Sequence, residues 1–178
     1  MNLEINRNHT ELRLYSENDS ELKFYSKWWM LLGKSKAEIL DKNAIKIYSI
    51  RKRFKILKLK LFYEITNSKN ELLFLELNRK GTIYEIQIGE NKYNLKVHKG
   101  RKKSIFKNDI QIASINENFL SVLDKNKITM TANVDADLEI IFLLYTCINI
   151  DNTTDNEMTF DFGHIGKAEE VDSNWIPK

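Results

Sequence analysis

Three short runs of cations hold the residues best suited to binding chemistry: Arg51-Lys52-Arg53, Arg79-Lys80, and the segment in which Lys99, Arg101, Lys102 and Lys103 surround Gly100. Clustered arginine and lysine suit phosphate, because guanidinium forks meet phosphate oxygens in pairs and ammonium groups act as point charges. The runs lie in a block, Arg51 to Lys107, with 16 Lys and Arg against 5 Asp and Glu, a net +11 inside a chain of net +3. The remainder is therefore −8. Loop-end clusters that converge on one rim would attract phosphate as a free anion, on nucleic acid or on anionic lipid heads. The competing reading is a basic face that is merely solvated.

Groups suited to catalysis are sparse. The three histidines, His9, His98 and His164, have no partner at HxH or HExxH spacing. Acids between Asp151 and Glu157 stand at positions 1, 5 and 7 of a calcium loop, but Asn156 replaces its glycine and Phe162 its closing acid. Asp161 and His164 form a carboxylate–imidazole pair to which no Ser or Cys nucleophile can be assigned. The six glycines are scattered, with no phosphate-binding loop among them. The single cysteine, Cys147, lies in an apolar segment and reads as a buried thiol, which leaves no disulfide framework. The expectation is a non-enzymatic protein with no catalytic residue, metal site or cofactor.

The elements that must position the cations are strands. A chain of 178 residues, 42% hydrophobic and 30% charged, suits one globular domain with a sizeable core. Alternation and closely spaced turn signals predict strands over Glu21–Leu32, Lys36–Asp41, Ala44–Ile50, Lys55–Thr66, Glu71–Asn78, Thr82–Ile88 and Lys92–His98. Gly89-Glu90-Asn91 reads as a hairpin loop. SIFK, Asp109–Ile115, Phe119–Asp124 and Lys127–Val134 continue the series, giving about ten to twelve strands in the manner of an all-β barrel or sandwich. The stretch before Glu21 reads as polar.

One segment breaks the pattern. LEIIFLLYTCINI, from Leu138 to Ile150, is apolar on every side, and a helix of that kind must be buried all round. In a strand-dominated domain the place that surrounds a helix is the inside of a closed sheet. Asp135 is placed to cap its N-terminus, with Asp137 and Glu139 in the first turn. Two buried strands are the alternative. The run is shorter than the roughly 20 residues that cross a bilayer. With no apolar core of signal-peptide length near the start, a cytoplasmic protein, at most peripheral to a membrane, is expected.

The strand series followed by an apolar helix, with AEILDKNAIKIYSIRKRF and KLKLFYEITNSKNELLFLELNRK within it, resembles the tubby C-terminal-like group, which includes the LURP-one-related proteins and phospholipid scramblases. The resemblance covers roughly Glu21 to Ile150 and implies a mainly β fold, an antiparallel barrel of twelve strands around one central hydrophobic helix at about 136–150. Residues 1–150 would form that domain. Residues 151–178 would be an extension packing on the barrel, anchored through Trp175 and mobile at its end.

Two classes of function follow. The first is a binding module for anionic lipid, phosphoinositide-like headgroups or other phosphate-bearing ligands, using Arg51, Lys52, Arg53, Arg79, Lys80, Lys99, Arg101, Lys102 and Lys103. The second is a structural or regulatory module with an unidentified protein partner. Nucleic acid is disfavoured, because one cysteine makes no zinc site and a strand-rich chain leaves no helix-turn-helix. Aromatic and basic residues do alternate at Lys23-Phe24-Tyr25, Lys60–Tyr63 and Lys92-Tyr93, but any half-buried strand shows that pattern.

Overall fold

Twelve antiparallel strands close on themselves, each paired with its neighbours in the chain and the first with the last. The computed structural model describes residues 1–17, 20–31, 34–55, 60–117, 127–150 and 170–178. The strands are β1 Asn2–Asn8, β2 Glu11–Ser16, β3 Leu22–Leu31, β4 Lys34–Asp41, β5 Lys46–Lys55, β6 Lys60–Asn67, β7 Leu72–Leu77, β8 Ile83–Ile88, β9 Asn91–Val97, β10 Lys102–Lys107, β11 Ile110–Asn116 and β12 Lys127–Ala132. The helix α1, Leu138–Asn149, follows.

Period two decides which side chains enter the barrel. Leu3 and Ile5, Leu12 and Leu14, Ala37 and Ile39, Tyr63 and Ile65, and Ile128 and Met130 are all buried in one core. An eight-stranded barrel is filled by its own side chains, and diameter grows with strand number, so twelve strands leave room for a helix. From Ile140 to Cys147 every residue of α1 is buried. Its contacts come from around the wall: Phe142 stacks on Phe24 of β3, Thr146 Oγ1 donates to Ser26 Oγ, and the Tyr48 hydroxyl of β5 bonds Glu139. Small inward residues such as Ser26, Ala113 and Ala132 make space for it. A helix of this length spans about 18 Å, close to the height of tilted six- to eight-residue strands. The core helix and the closed antiparallel barrel match the sequence expectation.

Several local readings are corrected. The polar stretch before Glu21, to which no strand was assigned, forms β1 and β2, whose alternating Leu3, Ile5, Leu12 and Leu14 sit among Asn, Arg and Thr. Lys55–Thr66 is not one strand: Lys55 pairs with Lys60, so a connection lies inside the run. The β8–β9 loop is two residues, Gly89-Glu90, since Asn91 already pairs with Ile88. Gly89 has φ +57, a left-handed value that costs a glycine little. Asp137, not Asp135, is the N-cap, and its carboxylate does not cap the helix: it accepts from the Tyr93 hydroxyl at 2.7 Å and pairs with Lys107 at 2.8 Å. The strand expected over Phe119–Asp124, the Asp151–Glu157 run and the Asp161–His164 pair lie outside the described residues.

At the C-terminus Trp175 Nε1 donates to the Gln111 carbonyl, and Lys178 bonds Asn133 Oδ1 and the Val134 amide. The final residue is thus tied to the barrel rather than loose. No helix among the described residues is long and apolar enough to cross a membrane, which says nothing of a barrel crossing with strands.

Candidate basic site at one end of the barrel

Up-and-down order sorts the connections into two sets. The β1–β2, β3–β4, β5–β6, β7–β8, β9–β10 and β11–β12 links lie at one end, and the alternate links at the other. The three cation runs all fall at the first end, toward which α1 points its C-terminus. Arg51-Lys52-Arg53 occupy the last half of β5, Arg79-Lys80 the β7–β8 link, and Lys99 to Lys102 the β9–β10 link and the start of β10. They span β5 to β10, a contiguous half of the rim. The opposite end is of mixed charge: Glu17, Glu21, Asp41, Glu71, Glu90, Asp109, Asp135 and Asp137 lie there with Lys23, Lys42, Lys46, Lys69, Lys92 and Lys107, and the bonds of Lys178 fasten the C-terminal residues there. The three cation runs, separate in sequence, thus share one end of the barrel.

Each cluster is held out by local structure. Asn78 Oδ1 accepts from the amides of Thr82 and Ile83, closing a side-chain turn that leaves Arg79 and Lys80 exposed. Gly100 at φ +71 and Arg101 at φ +59 reverse the chain between β9 and β10, with Lys99, Arg101 and Lys102 exposed. His98 at the base of this turn is buried, its Nε2 2.9 Å from Ser104 Oγ.

On β5 the side chains alternate. Arg51 and Arg53 face outward, while Lys52 shares the inward parity of Tyr48 and Ile50. Arg53 Nε bonds Glu64 Oε2 at 2.8 Å. Arg51 lies between Lys36, opposite it in the β4–β5 ladder, and Glu64, opposite it in the β5–β6 ladder, so the like-charge pair has one carboxylate beside it. Neither Lys36 nor Arg51 has an ion-pair partner among the described residues. A pocket of about 160 Å³ opens here, lined by Ser35, Lys36, Arg51, Lys52 and Arg53. Its lining is rich in donors suited to phosphate oxygens, Lys36, Arg51 and Arg53 from the outer face of the sheet and Ser35 and Lys52 from the inner. Ser35 and Lys36 were not foreseen, because only the register of β4 on β5 brings them to Arg51.

Lys103 is a correction to the expected site. It shares the inward parity of Ile105, is buried, and its Nζ pairs with Glu117 Oε1 at 2.5 Å. The same carboxylate oxygen accepts from the Tyr145 hydroxyl at 2.6 Å. Burial pushes the Lys103 ammonium below its ordinary range, though Glu117 opposes the shift, and burial holds Tyr145 well above its own. This trio fastens α1 to the ends of β10 and β11 and offers nothing to an outside anion. Among the described residues no group of three His, Cys, Asp or Glu side chains is arranged to hold a metal.

No family model and no curated protein matches the sequence. Among solved structures the chain is similar to the X-ray structure of a protein from Arabidopsis thaliana. The two are 14% identical, the match covers 85% of this chain and 90% of that one, and the TM-score is 0.58. At that identity the likeness is one of fold: both chains build this barrel.

Proposed function

We propose that this protein is a non-enzymatic binding module of the tubby C-terminal-like group that recognises anionic, phosphate-bearing ligands, foremost the headgroups of an acidic lipid surface, through the basic end of its barrel. The observation that carries the reading is the pocket between β4 and β5, whose lining is Ser35 and the four cations Lys36, Arg51, Lys52 and Arg53. Arg79, Lys80, Lys99, Arg101 and Lys102 extend the same potential along the rim.

The test is co-sedimentation with vesicles containing acidic lipids. Wild-type protein should bind at low salt and release as salt rises, since screening shortens to about 8 Å near physiological ionic strength. Joint reversal of Lys36 and Arg51 to Glu should weaken binding at least tenfold, and Lys102→Glu should do so by less. Both variants should keep the wild-type melting temperature within a few degrees, because exposed substitutions shift stability by about 0.5 kcal/mol or less. Indifference to acidic vesicles, together with a co-purifying protein, would support the second reading: a regulatory or structural module whose basic end is only solvated.

A further inference from the structure

We infer that the basic end does not merely rest on headgroups but inserts an apolar lip, formed by Trp29 and Met30 of β3 and Phe54 of β5, into the hydrocarbon boundary of an anionic membrane. The inference rests on the reading of that end as a phosphate-binding surface and goes beyond it.

Strand length is the starting point. β3 and β5 have 10 residues each, whereas β7 to β12 have 6 or 7. The wall therefore stands higher where β3, β4 and β5 run side by side. Met30 and Phe54 keep the parity of inward residues, continuing Trp28 on β3 and Tyr48 and Ile50 on β5, yet they are 66% and 55% exposed. Lower in the same barrel Met130 is 1% exposed. The difference is height: α1 fills the barrel below the lip, and Met30 and Phe54 stand above the level that its described residues reach. Trp29, 37% exposed, lies on the outer face of the same tip.

Charge selects the occupant. Trp29 pairs with Lys36, and Lys36 with Arg51, so an aromatic ring and two cations lie in one row across β3, β4 and β5. Tryptophan beside lysine and arginine next to an apolar tip is the composition that settles at the boundary between headgroups and acyl chains. A soluble phosphate ligand would leave the lip wet. Met1, Ile45, Leu72, Phe74, Ile110, Val134, Val171 and Ile176 are also exposed among the described residues, but they lie away from the three cation runs.

The test uses intact protein and vesicles of phosphatidylcholine with a minor share of phosphatidylserine, the acyl chains brominated to quench tryptophan. Of the three tryptophans, Trp28 is buried in the core and Trp175 is fastened to Gln111, at the opposite end of the barrel. Quenching on binding therefore reports Trp29, and Trp29→Phe should remove it. The exposed double variant Met30→Ser with Phe54→Ser should lose at least about tenfold in vesicle partitioning and should lose the quenching, while its melting temperature holds. A fraction of wild-type binding should survive about 1 M salt, where screening shortens to about 3 Å. Binding without quenching, unchanged in the double variant and abolished by salt, would overturn insertion and leave the headgroup reading standing. No binding to vesicles at any salt would overturn both.

Discussion

Lys103 shows how far one side chain's direction can part from its company in sequence. Lys102 and Lys103 are neighbours in the same basic run, but one points to solvent and the other into the barrel, because successive strand residues alternate. Inside, Lys103 reaches Glu117 and lies 5.6 Å from the Tyr145 ring, so one carboxylate serves an ammonium and a phenol together. Removing one partner of a buried pair leaves the other charge or hydroxyl without compensation. Lys103→Met should cost about 3 kcal/mol in urea unfolding, and pairing it with Glu117→Leu should recover part of that loss, a coupling read from a double-mutant cycle. Vesicle binding by the single variant should equal wild type, in contrast to Lys102→Glu. The parity was readable from Ile105 two residues on, but the acid across from it needed the fold.

The helix is the element on which the barrel depends, and it was the most legible. A segment apolar on all faces has one place to go in a strand-rich chain, and Ile140 through Cys147 are buried accordingly. Leu144, with no exposed surface at all, should tolerate no charge: Leu144→Asp should abolish cooperative unfolding in circular dichroism and calorimetry, since an unpaired buried carboxylate costs an amount comparable to the roughly 5–15 kcal/mol that holds a domain. Other elements were harder to read. β1 and β2 hide their Leu and Ile among polar residues, and their pairing with β12 and β3 is long-range or bulged. The break between β5 and β6 carries no Gly, Pro, Asn or Asp, so a period-two reading runs straight across it. For the candidate site, the cations of β5 and of the two links were visible as charge, whereas Ser35 and Lys36 depend on the register of neighbouring strands, which local pattern does not encode.

At the scale of the whole molecule, four tyrosine hydroxyls bonded to carboxylates share one dependence on pH. Tyr145 reaches Glu117, Tyr48 reaches Glu139, Tyr93 reaches Asp137, and Tyr25 reaches Glu11 at 2.8 Å. The first three join the helix region to the barrel wall near both its ends; the fourth ties β3 to β2. In every case burial is the larger cause and the acidic partner the next, and each phenol is raised, Tyr25 to about 12. An unfolded chain releases these protons near pH 10. Above that value the folded state binds more protons than the unfolded one, so stability falls as pH rises. Lys103 works the other way, its lowered value letting the folded state release a proton before the unfolded chain does, but it is one group against four. Unfolding free energy should therefore be level between pH 7 and 9. Beyond about pH 10 it should drop by more than the roughly 1.4 kcal/mol per pH unit that one group supplies. Urea titrations at stepped pH, with ultraviolet absorbance following phenolate, would check it. Tyrosine ionisation complete near pH 10 in the folded protein would show that these hydroxyls do not hold the helix to the wall.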